Sequence, residues 1–195
     1  MRRTVIALAA FLVFACAAAV AGERVTVTLD EINNRGYIPQ WMVIGKFSAG
    51  LPGGYTGMVV ARRAQLPDKD FLEDQGGEAA IKPEVGMAHA RGEKGQALWQ
   101  KLSADSGLID LGPLYPGMPE STMYAAVYID SIRDAALFLD METLTGATVW
   151  VNHEMALRSA PGALGETGRE KLLVQLKSGV NLLLIKFGGL RYERA

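Results

Sequence analysis

Residues 137–187 constrain the fold more tightly than any other part of the chain. Leu137, Leu139 and Met141 alternate with Phe138, Asp140 and Glu142. A period of two is the mark of a strand with one buried face. Ala147, Val149 and Val151 alternate in the same way with Thr148, Trp150 and Asn152, in a β-branched and aromatic run. Leu172, Val174 and Leu176 make a third set, and Leu183, Ile185 and Phe187 a fourth. Leu182 and Leu184 are apolar too, so the fourth strand is expected to be covered on both faces. Thr145-Gly146, Asn152-His153 and Lys177-Ser178-Gly179 supply turns between the runs. Asn152-His153 stands where a two-residue hairpin requires positive φ, a region that both residue types tolerate better than most.

The preceding chain carries shorter signals of the same kind. Val25, Val27 and Leu29 alternate with threonines, and Asn33-Asn34-Arg35-Gly36 reads as the turn that follows. Residues 37–47 predict a second strand, with Pro39 placing it at an edge or in the strand's first residues. Leu66-Pro67-Asp68 reads as the entry to a short helix, with Gly76-Gly77 as its stop. Residues 97–102, which include Trp99, and residues 123–132 predict further strands. Many short alternating runs, frequent turns and no long amphipathic helix predict a single all-β domain, a β-sandwich with one short helix.

The first residues read as a targeting segment rather than as structure. Arg2 and Arg3 precede the apolar run 5–15, and Ala19-Val20-Ala21 offers a small-x-small cleavage site before Gly22. The expected division is a signal peptide over 1–21 and one domain over 22–195. Cys16, in the sequence VFAC, offers a competing lipoprotein reading in which a lipid anchors the protein to a membrane surface. Export to the periplasm or beyond is expected either way, with contact to a membrane only through the leader or that lipid. Cys16 is the single cysteine, which excludes disulfides and thiolate zinc ligation from the domain. The net charge of −1, with no long basic run, argues against nucleic acid as a partner.

Several segments also resemble a known family. VWVNHE at 149–154, followed by LKSGVNLLLIKF at 176–187, resembles the signature of galactose-binding-like jelly-roll domains. WMVIGKF at 41–47, DFLEDQGGEAAIKPEVG at 70–86 and TMYAAVYI at 122–129 resemble three further segments of such domains, in the same order. The resemblance implies a jelly-roll sandwich acting as a sugar-binding or accessory module of exported bacterial proteins. Two departures stand out. His153 occupies the usual turn glycine, and the C-terminal LRYERA lacks a frequent tryptophan.

The candidate chemistry is sparse. The two histidines, His89 and His153, lie in unrelated segments, whereas a zinc site needs three or four convergent ligands. Asp68, Asp70, Glu73 and Asp74 could hold a structural calcium, but their spacing reads more simply as a solvated helix face. No other cofactor is implied. Glu78, Asp140 and Glu154 are carboxylates of the type that glycosidases pair across a cleft, but nothing in the sequence pairs them. No nucleophile elbow or phosphate loop is present, so a non-enzymatic role is expected. Sugar recognition would draw on Tyr55 and Trp99 as stacking platforms. Glu78, Asn152 and His153 would be the hydrogen-bonding neighbours. For each of them a plainer structural role competes. Trp41 and Trp150 sit inside strand patterns and are expected in the core. A glycan and a protein of the cell envelope are the two partner classes that remain.

Overall fold

The computed structural model describes residues 22–48, 69–89, 97–111, 121–143, 146–159 and 168–188. The leader with Cys16, and Tyr55, lie outside the described residues. Eleven strands and one α-helix are described: β1 (Thr26–Thr28), α1 (Leu29–Arg35), β2 (Gln40–Ser48), β3 (Ala88–His89), β4 (Ala97–Leu98), β5 (Gln100–Ser103), β6 (Ser121–Ser131), β7 (Ala135–Thr143), β8 (Ala147–Val151), β9 (Glu154–Arg158), β10 (Gly168–Leu176) and β11 (Gly179–Gly188). The result is an all-β sandwich. Its main sheet runs β5-β2-β6-β11-β8-β9, with β1 beside β6, and two-stranded sheets join β7 to β10 and β3 to β4.

The sandwich is wound around one ribbon. Ten residue pairs join β6 to β11 in the main sheet, ending at Ser131 opposite Gly179. Nine more join β7 to β10, starting at Ala135 opposite Leu176. Two arms, β6–β7 and β10–β11, therefore stay paired as they cross from one sheet to the other. β6 shares its other side between two partners: β2 runs antiparallel along its first half and β1 parallel along its second.

Burial follows from that central position. Residues 123–129 of β6 and 182–185 of β11 are buried at every position, so both faces of the main sheet are covered there. β7 and β10 contribute Leu137, Val174 and Leu176 to the same core, with Leu139 and Met141 packed against it. Trp41 and Trp150 are core residues, as their strand patterns required.

The corner where the ribbon changes sheets is held by a buried amide. Asn181 is 1% exposed. Its Oδ1 accepts from the Lys177 backbone N–H at 2.8 Å and from Asn152 Nδ2 at 2.9 Å. Its Nδ2 donates to the carbonyls of Lys177 at 2.8 Å, Gly179 at 3.0 Å and Ile129 at 3.4 Å. Asn152 Oδ1 in turn accepts from the Leu182 N–H at 2.9 Å. One pair of side chains thus ties the β8–β9 turn to the β10–β11 turn and to β6. Beside it, Asp134 Oδ1 accepts from the Ser178 N–H at 2.8 Å.

Several local expectations are corrected. Leu29 does not close a strand but opens α1, and 33–36 is the end of that helix rather than a free turn. Thr28 caps it by accepting from the Glu31 N–H, Arg35 bonds Glu31 one turn back, and Gly36 closes it. Glu73–Gln75 form one 3-10 turn that stops at Gly76, whereas the helix entry expected at 66–68 lies outside the described residues. β2 is not an edge strand, because it lies between β5 and β6, and Pro39 precedes it. The strand expected over 97–102 is two strands, β4 and β5, broken at Trp99.

Replacing Asn181 by leucine keeps the size but leaves the Lys177 N–H and the Asn152 amide short of a partner. Lost buried hydrogen bonds and unpaired polar groups predict a loss of about 2–4 kcal/mol. Chemical denaturation of Asn181→Leu against the parent measures it, and a loss below roughly 1 kcal/mol would contradict this role for the amide.

Candidate functional site

Among the described residues, a close group of charged and polar side chains is buried against the main sheet. Lys186 on β11 stands directly opposite Tyr124 on β6, which stands opposite Ile44 on β2. Segment 69–81 closes over this face, burying Phe71, Leu72 and Ile81. Phe71 stacks on Phe47 at 5.5 Å between ring centroids, and Phe47 also meets Tyr124 and His89 edge-on.

A charged lysine in such a place requires a partner, because an isolated buried charge is prohibitively costly. Glu78 supplies it. Lys186 Nζ lies 2.7 Å from Glu78 Oε1, with side-chain exposures of 3% and 12%. Nζ also donates to the Lys69 carbonyl at 2.6 Å. The Tyr124 hydroxyl donates to the same Glu78 oxygen at 2.6 Å and accepts from the Phe71 N–H at 3.2 Å. Burial, and then the Glu78 charge, push the Tyr124 phenol far above its usual pKa, so it remains a donor.

The loop that delivers Glu78 is built for that task. Asp70 accepts from the Leu72 N–H at 2.8 Å through Oδ1 and from the Glu78 N–H at 2.9 Å through Oδ2. Gly77 sits at φ 82° between them, and a Cβ there would lie 2.7 Å from Asp70 Oδ2. Only glycine fits both the backbone and the close approach. The Gly76-Gly77-Glu78 run is therefore a device for fastening this segment to the sheet. Among the described residues no group of three or more side chains is arranged to hold a metal ion.

The other sequence candidates are scattered. Trp99 is 1% exposed, with its ring in the core and Nε1 donating to Gln75 Oε1 at 3.4 Å. It is not an exposed platform, which corrects the expectation drawn from its nearness to a loop. Asn152 and His153 form the β8–β9 turn with φ of 50° and 72°, as the hairpin reading required. Asn152 is engaged with Asn181 and Leu182. His153 is half-buried, and its Nδ1 is buried without a hydrogen-bond partner. His89, edge-on to Phe47, belongs to the core. Asp140 is exposed on β7 and paired with Arg169, whose guanidinium holds its carboxyl below the usual range. Glu154 opens β9. Glu78, in a turn, Asp140 on β7 and Glu154 on β9 thus stand on three separate segments.

Two features carry no usable signal in the sequence. The pairing of Lys186 with Glu78 spans 108 residues and leaves no local signal. The exposed apolar pair Phe138 and Leu173 was hidden because its alternation marks it simply as the outer face of a strand.

No family model matches the chain, and no curated protein matches it. Among solved structures, it is similar to two of β-glucosidase from Kluyveromyces marxianus, one selenomethionine-labelled and one in complex with glucose. Each has a TM-score of 0.36, at 11% and 12% identity. The likeness covers 46% of this chain and 12% of each of those chains.

Two outcomes test these roles. Lys186→Met and Glu78→Gln each strand a buried partner and should cost about 3–5 kcal/mol, whereas the double change should cost clearly less than the sum. Thermal and denaturant melts of the three variants decide it, and additive losses would break the pairing argument. His153→Gly relieves a side chain held at positive φ and should stabilise the domain by about 1 kcal/mol. A lower melting temperature for His153→Gly would mean that the imidazole contributes more than the turn costs.

Proposed function

We propose that this chain is an exported, non-catalytic recognition module whose ligand class is carbohydrate. The observation that carries the non-catalytic part is the engagement of the motif residues. The Glu78 carboxylate is bound by Lys186 and Tyr124, Asp70 is bound by two backbone N–H groups, and Asn152 is bonded through both ends of its amide. Groups held this way position chain segments and have little freedom left for substrate. The ligand class is supported by the resemblance of four segments to galactose-binding-like domains. Export is supported by the leader-like first residues, with Cys16 as an alternative lipid anchor.

A second reading, an interaction domain of the cell envelope without sugar affinity, is favoured by one observation. The burial of Trp99 removes one of the two platforms that motivated sugar binding. A glycan-array screen of the purified chain, with and without calcium, separates the readings. Reproducible binding to one glycan class, with no turnover of the bound glycan, is the expected result. A folded sample that binds nothing across the array would transfer the assignment to the interaction domain.

A further inference from the structure

Resting on the carbohydrate reading above, the geometry points to the outer face of the β7–β10 sheet as the site that takes the glycan. Phe138 is its stacking platform, and the ligand is a single neutral polysaccharide chain.

The face can be read directly from the register. Ala136 stands opposite Gln175, Phe138 opposite Leu173, Asp140 opposite Lys171 and Glu142 opposite Arg169. All eight are exposed, while their alternate neighbours Leu137, Val174 and Leu176 are buried. Phe138 is 58% and Leu173 56% exposed, two large apolar side chains side by side on one strand pair. Neighbouring apolar groups left in water mark a surface that something else covers more often than single ones do.

The chemistry beside them selects the occupant. Two carboxylates and two cations flank the apolar pair, so the face has no net charge to attract an acidic or basic partner. Arg169 grips Asp140 through two bonds, Nε to Oδ1 at 2.8 Å and Nη2 to Oδ2 at 2.7 Å, which fixes a planar polar edge next to the ring. Gln175 provides an amide on the other side of Leu173. An aromatic ring with an aliphatic neighbour suits the C–H face of a pyranose. The flanking amide, carboxylate and guanidinium groups suit its hydroxyls.

The dimensions point the same way. Nine residues of two paired strands give a strip about 30 Å long and about 10 Å wide. That is about 300 Å², well short of the roughly 800 Å² per partner of a stable protein interface. A long, narrow strip without net charge fits one extended polymer chain rather than a folded protein or a second copy of this one.

The test uses the full chain with cellohexaose, xylohexaose, mannohexaose and laminarihexaose as neutral probes, and polygalacturonate as an anionic one. Phe138→Ala and Leu173→Ser are compared with Phe138→Trp, each checked for unchanged melting. The expected result is binding to at least one neutral hexaose, weakened roughly tenfold or more by Phe138→Ala, in line with the loss of one buried aromatic contact. Phe138→Trp should retain or tighten it. Binding that survives both Phe138→Ala and Leu173→Ser would overturn this site while leaving the carbohydrate reading in place. Preference for polygalacturonate would overturn the neutral-ligand assignment. Absence of binding to every probe and across the glycan array would overturn the site and the carbohydrate reading together. Self-association of the parent chain that Phe138→Ala abolishes, without glycan binding, would assign the face to a second copy instead.

Discussion

The buried Asn181 amide is the interaction on which the rest of the sandwich depends. A ribbon that stays paired while passing from one sheet to another must turn sharply, and at the turn its backbone groups lose their ladder partners. Asn181 replaces those partners with its own donors and acceptor, reaching three carbonyls, one backbone N–H and the Asn152 amide. Asn152 then carries the connection to the β8–β9 turn, where its tolerance of positive φ is also needed. The same two residues satisfy hydrogen bonds and set the chain path, which is why the Asn152 and Gly179-Val180-Asn181 segments stand out in the sequence.

The second constraint is electrostatic. Lys186 places an ammonium on a strand whose neighbours Leu184 and Ile185 are both buried. Once a cation is there, a carboxylate has to follow it inside, and Glu78 must be delivered by a segment that can bend to reach it. Asp70, the Gly77 backbone and the aromatic packing of Phe71 on Phe47 are the means of delivery. An apolar residue at position 186 would leave the Glu78 carboxylate inside without its cation. The arrangement therefore favours one docked position for segment 69–81 more than it adds to overall stability.

How much of this was legible in the sequence depended on the range of the signal. Strands buried on one or both faces, such as β7, β8 and β11, announce themselves through period-two apolar patterns, and Asn152-His153 through the demands of a two-residue turn. β9 did not, since its residues are largely exposed on both faces and carry no alternation. α1 was hidden because it is short and buries only Ile32. Its signal was the Thr28 cap with Glu31 three residues on, a local pattern outweighed by the strand-like run before it. Trp99 misled because a break between two short strands turns its ring inward while Leu98 beside it stays exposed. The Lys186–Glu78 contact joins distant segments, and only the folded sheet brings them together.

The motif residues thus organise the interior and not the exposed surface. Hydrogen exchange in the native state tests that division most directly. The amides of Lys177 and Leu182 donate to the Asn181 and Asn152 side chains. If this corner holds the two sheets together, both amides should exchange only through global unfolding, with the same opening free energy as the β6 and β11 ladder. Exchange through a local opening several kcal/mol below the global value would contradict it, showing that the sandwich persists when the corner is undone.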